Sequence, residues 1–207
     1  MFDGLIFDLD GTLWDATKII CKTWNVILKE YPKVRKEPVT VEELKGCMGL
    51  QIDEIGRKLF KESDEGLRKE LMDKCCVLEC EYLSKEGGEL FDDVEKTLKI
   101  LSQKYKLYIV SNCQNGYIES FYKGNGLGKY FKDKLCAEET GLSKGENNKI
   151  IIKRNNLKNP VYIGDTQGDR QSAADAGIPF VYAEYGFGNV DSYDFKIEKF
   201  SDLADIM

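Results

Sequence analysis

Histidine is absent from this chain of 207 residues. Its absence excludes any mechanism in which an imidazole of this chain acts as a base, a nucleophile relay or a metal ligand. Chemistry must therefore use carboxylates, lysine, hydroxyl groups or a hard metal ion. Cysteine occurs seven times, an odd number, and no CxxC pair is present. Neither a disulfide framework nor a thiolate zinc site is predicted, and we expect a reducing, cytoplasmic compartment.

Proline and long apolar runs are also scarce. Four prolines and no biased tract argue against an extended, disordered chain. No apolar run approaches the roughly 20 residues that span a bilayer, and Asp3, Asp8 and Asp10 stand where a signal peptide would be basic and then apolar. The formal net charge of −6 disfavours a broad contact with nucleic-acid phosphates. We expect no membrane or nucleic-acid partner, and a monomer or small homo-oligomer.

The apolar pattern predicts an α/β fold. After residue 88, short continuous apolar runs alternate with helical segments, and the run Leu5-Ile6-Phe7 stands near the start of the chain. Such runs are typical of parallel strands that are covered on both faces. From about residue 16 to 87 the pattern is helical only. We therefore expect residues 1–15 and 88–207 to form an α/β core and residues 16–87 to be a helical insertion.

Polar residues follow three of the predicted strands. Asp8 and Asp10 follow the first strand, Ser111 the second, and Asp165 and Asp169 the fourth. Ligands of open α/β sheets bind beyond the carboxyl ends of the strands, so we expect these side chains to converge. Lys144 would lean in from a loop that precedes a helix over residues 149–156. Four carboxylates repel one another unless a positive charge is bound, and an oxygen-only ligand set predicts Mg²⁺.

These residues form four motifs that resemble those of the haloacid dehalogenase-like phosphohydrolases. The first is Asp8-Leu9-Asp10-Gly11-Thr12, Ser111 matches the second, Lys144 the third, and residues 164–169, GDTQGD, the fourth. The resemblance covers nearly the whole chain. It implies a Rossmann-like parallel-sheet core with an inserted helical C1 cap, in the phosphoglycolate phosphatase and β-phosphoglucomutase branch of subclass I. One departure is Gly145, where the family usually has proline.

The resemblance implies a Mg²⁺-dependent phosphatase that acts on a small phosphorylated metabolite. Asp8 would attack phosphorus and form an aspartyl-phosphate, Asp10 would act as acid and then base, and Thr12 would orient Asp10. The other implied site residues are Ser111, Lys144, Leu9, Gly11 and Asn112 at the phosphate, and Lys45, Gln51 and Arg57 in the cap. The implied Mg²⁺ ligands are Asp8, the backbone carbonyl of Asp10, Asp165, and Asp169 directly or through water.

Other activities fit the chain less well. A β-phosphoglucomutase-like mutase would use a cap histidine, and dehalogenases lack the second aspartate of the first motif. Phosphonate cleavage would need a cap lysine that forms a Schiff base, for which Lys18, Lys22 and Lys45 are candidates. A phospho-acceptor receiver module would lack the helical insertion, and a catalytically silent binding protein is a further alternative. Cys113 lies close enough to the predicted site to be worth an alkylation test.

Overall fold

The computed structural model describes residues 2–207, and within them it contains eight strands and ten α-helices. The strands are β1 (Gly4–Phe7), β2 (Trp14–Asp15), β3 (Glu89–Leu90), β4 (Lys106–Ser111), β5 (Phe131–Cys136), β6 (Pro160–Gly164), β7 (Phe180–Ala183) and β8 (Phe195–Ile197). The helices are α1 (Thr17–Leu28), α2 (Val41–Lys45), α3 (Ile52–Leu59), α4 (Glu65–Glu86), α5 (Val94–Leu101), α6 (Tyr117–Asn125), α7 (Ala137–Thr140), α8 (Lys144–Arg154), α9 (Gln167–Ala176) and α10 (Leu203–Ile206).

Six parallel strands form the central sheet, in the order β5-β4-β1-β6-β7-β8. The predicted α/β fold with a parallel sheet is therefore confirmed. The central strand β1 is fully buried and pairs with β4 on one side and β6 on the other. Phe7 lies beside Ile109 and Ile163 in this register. Because β1, β4 and β6 run side by side in the same direction, the residues that follow them meet at one edge.

Helices α1 to α4 lie in the chain between two short strands, which pair with each other at the base of the insertion. Strands β2 and β3 pair antiparallel, with Trp14 opposite Leu90 and Asp15 opposite Glu89. The chain therefore leaves the sheet domain and returns to it at the same place. The long helix α4 packs against α1 and against α6 of the sheet domain. We propose that residues 16–87 act as a cap on a core of residues 1–15 and 88–207.

Local capping explains where several helices begin. Thr40 and Glu43 form a capping box before α2. The prediction that Lys144 lies in a loop before a helix over 149–156 is wrong. The Ser143 hydroxyl accepts the backbone N–H of Glu146, so α8 already begins at Lys144.

The edge strands of the sheet were hard to predict from the apolar pattern. The sequence indicates only a weak strand over residues 135–137, whereas β5 runs from Phe131 to Cys136. Its polar residues, Lys132, Asp133 and Lys134, are not buried, as is usual at a sheet edge. The short edge strand β8 was not predicted at all. No helix among residues 2–207 combines the length and apolar character needed to cross a membrane.

Candidate active site

Three aspartate side chains meet beyond the carboxyl ends of β1 and β6. Asp8, Asp165 and Asp169 are buried, and each offers a carboxylate oxygen within 4.8 Å of those of the other two. Burial, together with the charge of Asp169, raises the pKa of Asp8 to about 6, and burial raises the pKa of Asp165 well above its usual value. Buried oxygen donors of this kind fit a hard divalent cation such as Mg²⁺. The Asp10 carboxylate lies outside the cluster, and only its backbone carbonyl was predicted as a ligand.

Lys144 lies between two of these carboxylates. Its Nζ is 2.8 Å from Oδ1 of Asp8 and 2.7 Å from Oδ1 of Asp169. Burial works against the charged ammonium, but the charges of Asp169 and Asp8 outweigh it and hold the pKa of Lys144 above its usual value. The glycine at position 145 has a packing reason, since a Cβ there would lie 2.8 Å from Cβ of Asp175 in α9. Helix α8 can therefore pack close to α9 with its first residue at the site.

Asp169 accepts hydrogen bonds at both carboxylate oxygens. Oδ1 accepts Nζ of Lys144 at 2.7 Å. It also lies 3.3 Å from the hydroxyl of Tyr162, which donates its single proton to the backbone oxygen of Val110 at 2.8 Å. Oδ2 accepts the backbone N–H and the hydroxyl of Thr166, at 3.0 and 2.6 Å. Asp169 thus both caps the start of α9 and anchors Lys144. Oδ1 keeps an acceptor position, so Asp169 can serve a metal ion directly or through water.

Asp10 is held by two aromatic side chains. Nε1 of Trp14 donates to Oδ1 of Asp10 at 3.0 Å, and the hydroxyl of Tyr117 donates to the same oxygen at 2.8 Å. Both bonds end on Oδ1, so Oδ2 is the oxygen left for substrate, and Asp10 lines the cleft. Burial, with repulsion from the Asp8 carboxylate, raises the pKa of Asp10 to about 7 against these two bonds. The group can therefore carry or release a proton near neutral pH.

Thr12 does not orient Asp10 in this structure, contrary to the prediction. Its hydroxyl donates to Oδ1 of Asp165 at 3.4 Å instead, so the first motif contacts the fourth. Gly11 allows Asp165 to approach the first motif closely. Its φ is +83°, and a Cβ there would lie 2.2 Å from Oδ2 of Asp165. Only glycine fits this position without displacing that carboxylate.

Ser111 ends β4 and lines the cleft between cap and core together with Asp8 and Asp10. Asn112, which follows it, donates from Nδ2 to the backbone oxygen of Gly49 in the cap at 2.8 Å. This bond joins the cap to the sheet domain above the aspartates. Leu9, predicted at the phosphate, is fully buried in the hydrophobic core, and only its backbone belongs to the turn after β1.

The cap residues predicted to contact substrate lie elsewhere. Nζ of Lys45 is 3.2 Å from Oδ2 of Asp15 and lies over the ring of Phe187, outside the cleft that holds Asp8. Gln51 directly precedes α3 and borders a wider cleft beside it, and Arg57 is exposed. None of the three lines the cleft above Asp8, and their contact with substrate stays a prediction.

Comparison with known proteins agrees with this geometry. The family model described as haloacid dehalogenase-like hydrolase matches residues 5–183. The chain belongs to the haloacid dehalogenase-like hydrolases. A phosphoglycolate phosphatase from Rhodobacter capsulatus is 27% identical over 195 residues, which is 90% of this chain and 86% of the relative. The pyrophosphatase PpaX from Listeria innocua is 28% identical over 218 residues, which is 98% and 95%.

The solved structures agree at the level of the fold. A crystal structure of a predicted phosphoglycolate phosphatase from Haemophilus somnus superimposes with a TM-score of 0.87 at 22% identity, over 99% of this chain and 97% of that one. Together the comparisons support a phosphatase of the haloacid dehalogenase-like family.

One acidic residue of this hydrolase was missed from the sequence. Glu79 lies in α4 of the cap, is 1% exposed, and lines the cleft opposite Asp10. Nε1 of Trp24 and Nε2 of Gln114 each donate to one of its oxygens. Burial raises the pKa of Glu79 to about 8, against these two bonds. A signal was available, since Glu79 continues a buried stripe at four-residue steps, made of Leu71, Cys75 and Leu83.

Proposed function

We propose that the chain is a Mg²⁺-dependent phosphatase that hydrolyses a small phosphomonoester through an aspartyl-phosphate. The observation that carries this proposal is the position of Asp8. Its carboxylate lies on the floor of the cleft, paired with Lys144 and close to Asp10. A nucleophile, a cation and a proton donor that lie this close together support phosphoryl transfer.

Each residue has a defined part in the reaction. The Asp8 carboxylate attacks phosphorus and the bond to the leaving oxygen breaks, while Oδ2 of Asp10 gives its proton to that oxygen. Oδ2 of Asp10 then takes a proton from water as the water oxygen attacks phosphorus, which releases phosphate and restores Asp8. Lys144 balances negative charge on Asp8 and on the transferred group, and Ser111 donates a hydrogen bond to a phosphoryl oxygen.

The donor set supports a magnesium site. Asp8 and Asp165, with the backbone carbonyl of Asp10 and with Asp169 directly or through water, would hold the ion. Bound Mg²⁺ would supply positive charge for the phosphoryl oxygens.

Phosphonate cleavage is a weaker candidate, because the three lysines it could use are paired with acids. Lys18 lies 2.5 Å from Glu89, and Lys22 lies 3.1 Å from Glu86, both largely exposed. Lys45 pairs with Asp15. A lysine that forms a Schiff base needs to reach the substrate as a free amine, and these three ammonium groups lie outside the cleft lining.

A phosphate-release screen tests the proposal. The wild-type chain, Asp8→Asn and the matched surface variant Asp73→Asn would be assayed on phosphosugars, phosphoacids, nucleotides and pyrophosphate, with Mg²⁺ or with EDTA. We expect release by the wild type and Asp73→Asn only with Mg²⁺, and at least about 10²-fold less by Asp8→Asn. Release that survives EDTA, or equal release by Asp8→Asn, would contradict the mechanism.

A further inference from the structure

Acidic side chains of the described chain line the cleft above Asp8, and its basic side chains do not. The cleft is a narrow space of about 40 Å³ between cap and core. Its cap wall is mainly apolar and includes Ile20, Leu44, Met48 and Ile55. Among residues 2–207, three carboxyl groups line it, those of Asp8, Asp10 and Glu79, and no lysine or arginine does. The part of the substrate beyond the phosphoryl group must therefore bind without a cationic partner.

Three side-chain donors of the wall are already used by the protein. Nε1 of Trp24 and Nε2 of Gln114 donate to Glu79. The hydroxyl of Tyr117 donates to Asp10 at 2.8 Å. These three donors are therefore not free for a carboxylate or phosphate of a ligand, which only accepts, and the hydroxyl of Ser111 is the donor proposed for the phosphoryl group.

An acceptor, in contrast, is left without a partner. Oδ1 of Asn112 is buried and has no hydrogen-bond partner within the described chain, and Asn112 lines the cleft. The amide orientation is set by its Nδ2, which donates to the carbonyl oxygen of Gly49 at 2.8 Å. A buried acceptor without a partner is costly and calls for a donor on the ligand.

From these contacts we infer that the leaving group is a small organic alcohol that carries a hydrogen-bond donor, a hydroxyl or an ammonium group, and no second anion. Its donor would bind Oδ1 of Asn112 and Glu79, and its carbon atoms would lie against the apolar wall. The inference rests on the proposed function and restricts its substrates to phosphate esters of such alcohols. It separates this chain from enzymes that act on 2-phosphoglycolate or pyrophosphate, whose leaving groups are anionic.

Three two-carbon esters of similar size test the inference. The wild-type chain would be assayed with Mg²⁺ at pH 8.5 on 2-hydroxyethyl phosphate, O-phosphoethanolamine and 2-phosphoglycolate, with pyrophosphate as a fourth substrate. The rate of Asp8→Asn is subtracted from each. We expect kcat/KM for at least one of the first two esters to exceed the values for 2-phosphoglycolate and pyrophosphate by about tenfold or more, because an unmatched anion in the cleft is costly.

The outcomes separate the two proposals. Asp8-dependent hydrolysis of 2-phosphoglycolate or pyrophosphate at or above the rate of both other esters would overturn the leaving-group inference and leave the phosphatase standing. No Asp8-dependent release from any phosphate ester of this set or of the wider screen would overturn both.

A variant pair tests the part played by Glu79. Glu79→Gln removes the acid and keeps the shape, and Glu81→Gln makes the same change on the exposed face of the same helix. We expect Glu79→Gln to lower the ratio of kcat/KM for 2-hydroxyethyl phosphate to that for 2-phosphoglycolate by about tenfold, mainly through KM. Glu81→Gln should leave the ratio unchanged. An unchanged ratio in folded Glu79→Gln would overturn the role of Glu79, and if this variant does not fold, the wild-type ratios still decide the inference.

Discussion

Nζ of Lys144 lies 2.8 Å from Oδ1 of Asp8, although 136 residues separate the two in the chain. Both side chains are buried, with 5% and 3% of their surface exposed. The ammonium offsets the charge of the proposed nucleophile and also reaches Asp169. A buried ion pair of this kind is costly to break, because the remaining charge has no partner and no solvent.

We expect Lys144→Met to lose both activity and stability. Phosphate release should fall by about 10²–10³-fold, and the free energy of unfolding by about 3 kcal/mol or more, since Asp8 and Asp169 lose their cation. Initial rates and urea unfolding would measure the two effects. Lys149→Met is the control, because Lys149 lies on the same helix with 47% of its side chain exposed. Similar losses in both variants would argue against the role given to Lys144.

A pair of glycine variants separates backbone strain from a clash at the site. Gly11 and Gly116 have nearly the same φ, +83° and +87°, but a Cβ at Gly116 has no atom within 4 Å. Gly116→Ala should cost about 1 kcal/mol of unfolding free energy from the left-handed backbone alone. Gly11→Ala should cost clearly more and abolish Mg²⁺-dependent activity, because the new Cβ displaces Asp165.

Denaturant unfolding and phosphate release would compare these two variants. Equal stability and full activity in both would show that Asp165 tolerates a side chain at position 11.

Mg²⁺ should stabilise the wild-type chain without any substrate present. A ligand that binds only the folded state adds RT ln(1 + [L]/Kd), which is about 2.7 kcal/mol at a hundred times Kd. Asp165→Asn should abolish most of this gain, because Asp165 is one of the three clustered carboxylates. Thermal unfolding with Mg²⁺ and with EDTA would measure the effect, with Asp73→Asn as the surface control. A gain that persists in Asp165→Asn would place the ion elsewhere.

The raised pKa of Glu79 predicts a pH-dependent contribution to stability. The unfolded chain releases this proton near the ordinary value of 4.5, whereas the folded chain keeps it up to about pH 8. Between these values the folded state binds more protons, so the contribution to the free energy of unfolding falls as pH rises, by up to about 1.4 kcal/mol per unit. Above pH 8 the contribution levels off.

Glu79→Gln removes this dependence. Relative to the wild type, the variant should therefore gain stability between pH 5 and pH 8. Urea unfolding at several pH values would measure the difference, and Glu81→Gln should follow the wild type. A difference that stays constant with pH would mean that Glu79 is ionised throughout this range.

Cys113 is a weak target for alkylation, although it lines the cleft. Burial raises the pKa of its thiol well above the usual value, and the thiol form reacts slowly. The proximity that the sequence indicated therefore does not make this cysteine reactive.

Much of the site could be predicted because it follows short motifs at strand ends. Asp8, Ser111 and Asp165 come after strands that are recognisable from their apolar runs, and parallel neighbours must bring such residues to one edge. The residues that hold the site were harder to find. Tyr117 and Trp14 bind Asp10, but nothing in their local sequence distinguishes them from ordinary core aromatics.

By itself, the sequence determined the α/β pattern, the acidic strand ends and the exclusion of imidazole chemistry, because these depend on composition and on local periodicity. Only the tertiary structure decided that Lys144 joins Asp8 to Asp169, that Thr12 contacts Asp165, and that Lys45 faces away while Glu79 faces the cleft. These contacts join residues distant in the chain. Their geometry depends on how whole helices pack, and no local pattern of residues encodes that packing.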